Sequence, residues 1–417
     1  MTLDDLRRRF LLVLTVLVLV MVSGAIGVGL ADWPFLQRSW RLAALPDSGE
    51  WPDSFYQPVA PIGSAAAAMV VAEDPATPSI EPAALAAAAA WAEANNSVAL
   101  LVTHREKLVL ERYWQGMKPD QLFSGRAMAR SLSGMLTGFA VLNGKLSLDD
   151  RLDKYLTEWA REPRGAITLR QLLQNVSGLE EVPLNAVAPP ADDGVVDRMF
   201  AGTRNYFGKN SRLSLGSDFA HTALSFGLAH EPGFRFALSN ANAQLAGVIL
   251  ERALEDDYER LIDKLLWTPL AAGPAEFYMD RANGMPAVYC CLRATARGFL
   301  RLGMLLANDG VIDGLRVLPK GWVAEMARGS QTNPLYGLQL WSGKARAGVR
   351  EYQQGSGQGV RHGEDYAADD VIWMEGGGGR TVWAIPSQQL VILRLGRASK
   401  DWDASRLPNL LLRGLIR

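Results

Sequence analysis

The sequence predicts an α/β fold of the α+β type: one antiparallel sheet assembled from both chain ends, flanked by helices, carrying an inserted helical lobe and preceded by one apolar helix. Three observations lead there. A helix and a hairpin pattern open the ordered part, helical periodicity fills the middle, and short β-rich runs followed by a helix close it.

Taken in order, residues 1–9 form a short stub containing Arg7, Arg8 and Arg9, and Phe10 to Ala31 carries no charge. As a helix that run would reach roughly 33 Å, enough for a bilayer core. The basic flank predicts an uncleaved anchor with the stub in the cytoplasm and the rest on the periplasmic or extracytoplasmic side. A cleaved signal peptide ending near Gly29-Leu30-Ala31 is the rival reading. Residues 32–81, rich in Pro, Ala, Asp and Ser, read as a linker or lead-in, and the main domain is expected over 82–417.

Within that domain, Pro82 stands in the first turn of an Ala-rich helix that Asn95-Asn96 stops. Val98 to His104 and Leu108 to Tyr113 are β-rich runs separated by charged turn residues, a hairpin. Met128, Leu132, Met135, Leu136, Phe139 and Leu142 recur at helical spacing. Further helices are expected over 167–173, 243–254, 258–266 and 293–306, placing the helical lobe at about 150–290. Strands are expected over 336–341, 370–374, 381–385 and 390–395, with a last helix over 405–416.

Composition excludes several classes. The chain has 417 residues, 48% of them hydrophobic, so it can bury a large core. Its 43 basic and 44 acidic residues nearly cancel, which gives no electrostatic basis for nucleic-acid binding. The two cysteines, Cys290 and Cys291, are adjacent and read as two small buried side chains, since the ring between neighbours is too strained for a routine disulfide. His104, His221, His230 and His362 are scattered without ligand spacing, so no metal and no cofactor are expected. Glu180-Glu181 and Asp192-Asp193 read as solvated loop charges rather than a glycosidase pair.

The motifs carry the functional reading. Gly144 to Asp150, Thr168 to Leu173, Ser177-Gly178-Leu179, Glu231-Pro232-Gly233, Thr295-Ala296-Arg297, Leu302-Gly303 and Ile385-Pro386-Ser387 stand in order and at plausible spacing. With the helix opening at Ala127, they resemble the superfamily of serine β-lactamases, penicillin-binding proteins and related esterases and 6-aminohexanoate-dimer hydrolases. The resemblance runs from about Ser97 to Gly396 and implies the β-lactamase/transpeptidase-like fold.

That family opens the helix with Ser-x-x-Lys, where the serine attacks a carbonyl and the lysine handles its proton. Here the two positions are Ala127 and Arg130, and no lysine in the chain has a serine three residues before it. An alanine methyl cannot attack, and a guanidinium cannot act as a general base. The family's Tyr-x-Asn falls on Leu238-Ser239-Asn240, which removes the phenol and keeps the asparagine. Its Gly-rich strand falls on Trp373 to Arg380, with Gly377 at the basic position.

The resemblance therefore implies a serine-hydrolase-like chain with no intact catalytic residue and vestigial positions at Ala127, Arg130 and Leu238. Asn240, Gly377, Gly378, Gly379, Arg380 and Arg130 are the candidates for ligand binding. The expected role is binding a small molecule, a peptide or a peptidoglycan-like fragment without cleaving it; the protein partner is left unknown, and a third reading is a structural member of a membrane complex with the cleft filled by its own side chains. The alternative is an active esterase or amidase with a relocated nucleophile, Ser131, Ser124 or Ser239. For Ser124 and Ser239 the plainer readings are a helix cap and a loop landmark, and for Ser131 and Ser133 tolerated helix positions.

Overall fold

The computed structural model describes residues 3–43, 55–63, 67–181 and 209–416, and Asp192-Asp193 lie outside that set. Its centre is a six-stranded antiparallel sheet of order β3-β2-β14-β13-β12-β9. The first chain end contributes β2 (Ser97–His104) and β3 (Lys107–Tyr113); the last contributes β9 (Trp341–Ser342), β12 (Ile372–Gly376), β13 (Arg380–Ile385) and β14 (Leu390–Gly396). β14 pairs with β2 along its full length, Leu390 opposite His104 and Leu395 opposite Ala99. The two ends of the chain thus meet as predicted.

Alternation along these strands serves two cores. Leu101, Leu393 and Val382 pack on one face with Leu302 and Leu306 of α10 (Ala296–Ala307), and Gly303 is where that helix touches the sheet, since a Cβ there would lie 2.5 Å from Val382 and Val391. Leu100, Val102, Ile392 and Trp383 pack on the other face with α3 (Pro82–Ala94) and α12 (Arg406–Arg413) through Ala88, Ala92, Leu407 and Leu411.

Between β3 and the C-terminal strands runs the lobe. A short β4 (Phe123–Ser124) leads into a 3-10 turn, Arg126–Ala129, and then α4 (Arg130–Leu142). α5 (Leu169–Leu173) is opened by a capping box between Thr168 and Gln171. α6 (Lys209–Leu215), α7 (Phe219–Leu224), α8 (Asn240–Leu254) and α9 (Tyr258–Ile262) follow, and α9 runs into a π-helical turn over Asp263–Trp267. The helix expected from 293 starts at Ala296, capped by Thr295, because Leu292–Ala294 is strand β6.

The predicted lead-in is partly packed structure. α2 (Trp33–Ala43) buries Phe35 and Arg38, and β1 (Val59–Ile62) pairs with β5 (Ala275–Tyr278) in a second sheet of order β1-β5-β6-β4. The Arg38 guanidinium donates to the carbonyls of Gly216 and Asp280 at 2.6 and 2.7 Å, tying this segment to the lobe. The helix is amphipathic, burying Phe35 and Arg38 while Trp33 and Trp40 stay exposed, and a reading from the Pro, Ala, Asp and Ser content of the segment passed over it. Two hairpins decorate the fold, β7 (Val311–Ile312) with β8 (Leu315–Arg316) and β10 (Gly348–Glu351) with β11 (Gly359–His362); α11 (Trp322–Met326) packs on α4.

In front of the domain stands α1 (Leu3–Ala31), whose side chains from Leu11 to Val22 are exposed. Among the described residues, no helix is long and apolar enough to cross a membrane.

Candidate functional site

A cavity of about 270 Å³ opens where the sheet edge meets the lobe, and Ala127, Arg130, Leu238, Asn240 and Gly377 all line it. The turn that presents Ala127 is fixed by close backbone contact. Arg126 takes a left-handed backbone, φ 51°, and a Cβ on Gly376 would lie 2.2 Å from the Gly125 carbonyl. Only glycine lets β12 approach the turn this closely.

Arg130 opens α4 and is 4% exposed. Its Nε donates to the Ala127 carbonyl at 3.3 Å and its Nη2 to the Asn240 side-chain oxygen at 3.0 Å. Nη1 has no hydrogen-bond partner among the described residues. Asn240 is the first residue of α8, while the cap is Ser239, whose hydroxyl faces the Asn242 N–H at 3.5 Å. Asn175 holds this corner by accepting from the Ser239 N–H and the Asn242 amide.

Leu238 turns its buried side chain into the cavity, and its N–H donates to the Tyr352 carbonyl at 2.8 Å. A phenol therefore does reach this region, from the loop between β10 and β11. It is already engaged: Tyr352 donates to Glu375 at 2.7 Å, and Glu375 forms a buried ion pair with Arg350. Burial and the neighbouring Glu375 charge hold the Tyr352 phenol well above its ordinary range, so it is a donor, not a base. The Arg350 guanidinium lies 3.9 Å from the Trp341 ring centroid and 5.5 Å from that of Trp373.

The serines offered as alternative nucleophiles are placed differently from one another. Ser131 lines the cavity, but its hydroxyl donates to the Gln339 carbonyl at 2.7 Å, which is no proton acceptor for catalysis. Ser124 accepts from the Arg126 N–H at 3.3 Å beneath the turn, with Gly125 in the cap position. Ser133 donates to the Arg130 carbonyl and Ser177 to the Asn242 side chain. Ser214, unmarked in the sequence, faces the cavity beside Tyr278 and Tyr289, and burial pushes the Tyr289 phenol up to about 12.

Two expectations are corrected. Of the glycine run, Gly376 and Gly377 line the cavity, whereas Gly378, Gly379 and Arg380 do not. Gly378 and Gly379 form the tight left-handed turn between β12 and β13, with φ of 79° and 72°. Arg380 donates to the Gly377 carbonyl at 2.7 Å and is pushed down to about 10 by burial. Arg380 stands opposite Gly376 across the β12–β13 ladder, and it lines a separate cavity with Ser124 and Arg293.

Cys290 and Cys291 are joined by a disulfide, contrary to the reading of two separate thiols. Cys291 adopts a left-handed backbone, φ 73°, and its N–H donates to the Arg126 carbonyl at 3.2 Å. That conformation lets neighbouring side chains meet, and the cystine forms part of the cavity wall.

The histidines serve elsewhere. His104 meets the Ser79 hydroxyl at 2.7 Å, His230 lies 3.7 Å from Glu181, and burial pushes His362 down to about 4. Glu180 pairs with Lys209 and Glu181 with Arg235, away from the cavity. Among the described residues, no three His, Cys, Asp or Glu side chains come together as a metal site.

Sequence reasoning missed Tyr336, Gln339, Trp341, Tyr352 and Glu375, which complete the wall. The run from Tyr336 to Trp341 alternates like a strand, yet only Trp341 enters the sheet; the rest is a loop with Gln339 at φ 57°. Tyr336 donates to the Gln339 side-chain oxygen at 3.1 Å, and the Gln339 Nε2 has no partner among the described residues.

A cleft between an antiparallel sheet and a helical lobe, with a helix-opening turn and a glycine strand facing each other across it, defines the serine β-lactamase/transpeptidase class of scaffold. The chain belongs to the β-lactamase family, whose model, described as Beta-lactamase, matches residues 83–410. It is 29% identical over 141 residues to Protein flp of Staphylococcus aureus (strain NCTC 8325 / PS 47), covering 32% of this chain and 24% of that protein. It is 26% identical over 237 residues to the 6-aminohexanoate-dimer hydrolase of Paenarthrobacter ureafaciens, covering 55% of this chain and 57% of the hydrolase. The matches thus span about a quarter to somewhat over half of these relatives' lengths. A Bacillus anthracis structure provisionally named 6-aminohexanoate-dimer hydrolase superposes with a TM-score of 0.62 at 17% identity, over 83% of this chain and 88% of that one. That likeness is one of fold.

Proposed function

We propose that this protein binds a ligand in the family cleft and does not perform acyl transfer. The observation that carries the reading is Ala127 at the helix-opening turn with Arg130 beside it: the cleft presents a methyl group and a guanidinium where the family chemistry needs a nucleophile and a base. The remaining polar groups support it, since each cavity hydroxyl with an assigned donor bond gives its proton to a carbonyl, an amide oxygen or an ion-paired carboxylate. Backbone donors and shape alone leave only about 10³–10⁴-fold catalysis in dissected serine hydrolases, far too little to turn over an amide.

We propose separately that the domain lies outside the cytoplasm with residues 10–31 as its tether, although no helix among the described residues has the length and apolarity of a membrane span. The uncharged run from Phe10 to Ala31 behind three arginines supports it, and a cystine is at home in an oxidising compartment.

The test is mass spectrometry of the purified protein after exposure to a fluorophosphonate and to a penicillin. No adduct is expected. A stoichiometric adduct on one serine, lost on changing that serine to alanine, would establish a relocated nucleophile and overturn the proposal.

A further inference from the structure

We propose that the Cys290–Cys291 cystine is a redox-sensitive clamp on the cleft: its reduction by a small dithiol frees the turn that presents Ala127. This goes beyond the binding reading and stands whether or not the cleft cleaves what it holds.

These are the only cysteines of the chain, and both line the cavity. A bridge stabilises a fold mainly by restricting the unfolded chain, and it does so more the longer the loop it closes. Between neighbours the loop is the shortest two cysteines can close, so a staple for the whole domain is the weaker explanation. Position in the wall explains more. Cys290 is half-buried and Cys291 is 3% exposed, so a thiol entering the cavity meets the pair at its Cys290 end.

What the pair holds is the turn. The Gly125 N–H donates to the Leu292 carbonyl at 3.0 Å, and the Cys291 N–H donates to the Arg126 carbonyl at 3.2 Å. These two bonds extend the β4–β6 ladder, in which Ser124 stands opposite Arg293, as far as the residue before Ala127. The second bond depends on Cys291 keeping its left-handed backbone, φ 73°, a conformation that residues other than glycine adopt at a cost. With the sulfurs joined, Cys291 is confined to conformations in which the two side chains meet. With them apart, nothing covalent keeps it there. Rotation out of the left-handed region turns the Cys291 N–H away from its acceptor, and the carbonyl that leads into Ala127 loses that tie.

The chemistry balances between the pair and its reductant. A thiolate of the dithiol attacks the Cys290 sulfur, the bond between the cysteines breaks, and Cys291 leaves as a thiolate that takes up a proton. The second thiol of the reductant then displaces Cys290, so the dithiol is oxidised to its own disulfide while the cystine gains two electrons and two protons.

The test uses the full protein. After dithiothreitol under native conditions, unfolding in guanidinium chloride with excess iodoacetamide is expected to leave a carbamidomethyl group on each cysteine, and untreated protein is expected to carry none. Hydrogen–deuterium exchange of the two forms, read by mass spectrometry, is expected to be about tenfold faster in the reduced form over residues 123–130 and 288–294 and unchanged over β14. The Cys290→Ala/Cys291→Ala variant, its folding checked by circular dichroism, is expected to exchange like the reduced form and to ignore dithiothreitol. A cystine that resists dithiothreitol in the folded protein, labels on the untreated protein, or a reduced form whose turn exchanges no faster each overturns the clamp, and the comparison of the two redox forms needs no variant. A covalent adduct from a fluorophosphonate would strike the binding reading and leave this one standing.

Discussion

Replacing Glu375 by glutamine isolates the buried charge that shapes the back of the cavity. The Glu375 and Arg350 side chains are 7% and 5% exposed, and two further Arg350 nitrogens, Nε and Nη1, have no partner among the described residues. Glutamine keeps an acceptor for the Tyr352 phenol, so the principal loss is neutralisation of Arg350. Breaking a buried pair from one side costs about 3–5 kcal/mol, and the contact of Arg350 with Trp341 is the same before and after. We expect about 3 kcal/mol. At ~2.1 cal/mol/K per residue over about 330 residues, that lowers Tm by about 4 °C. The Arg350→Met/Glu375→Gln double variant, whose thioether suits the aromatic surround, should lie closer to the unaltered protein than the single variant does. Urea and thermal unfolding measure both. A single-variant loss under 1 kcal/mol, or a double variant less stable than the single, would refute the claim that Arg350 is held as a desolvated cation.

The glycine strand gives a second expectation. Gly376→Ala puts a Cβ 2.2 Å from the Gly125 carbonyl and should cost about 1–3 kcal/mol, whereas Gly377→Ala meets nothing within 4 Å and should change the urea midpoint little. Glu251 gives a third: burial, with Glu259 and Asp257 nearby, pushes its carboxyl up to about 7 from 4.5. The folded protein then retains a proton that the unfolded chain releases between those values, so this contribution is whole below pH 4.5 and is lost as pH rises through 7. Glu251→Gln keeps an acceptor for the Tyr258 N–H, and its stability relative to the unaltered protein should rise from pH 5 to pH 8; a pH-independent difference would refute the assignment.

The parts of this structure legible in the sequence are those where one local pattern has one reading. Pro82 and the alanines specify α3, Thr168 and Gln171 specify a capping box, and the β-rich runs at both ends have only each other to pair with. The lead-in was less legible because its anchoring is long-range: Arg38 binds carbonyls from the other side of the lobe, which no periodicity announces. Cavity residues divide the same way. Ala127, Arg130, Leu238 and Asn240 were found because motif spacing marks them, while Tyr352 and Glu375 reach the cavity through a hairpin and a strand register whose alignment only the fold creates. Arg380 was assigned to the wrong cavity because its guanidinium goes to a neighbouring cavity beside Ser124 and Arg293, which strand spacing does not announce.

The three replaced positions are coupled in space. Arg130 reaches Asn240 while folding its Nε back on the Ala127 carbonyl, so the guanidinium spans ground between two of the family's motif positions. Leu238 leans on the backbone of Tyr352, and Tyr352 spends its proton on Glu375 rather than on any group beside Ala127. Ser131, Tyr278, Tyr289, Tyr336 and Tyr352 are thereby each committed as donors to a carbonyl, an amide oxygen or an ion-paired carboxylate.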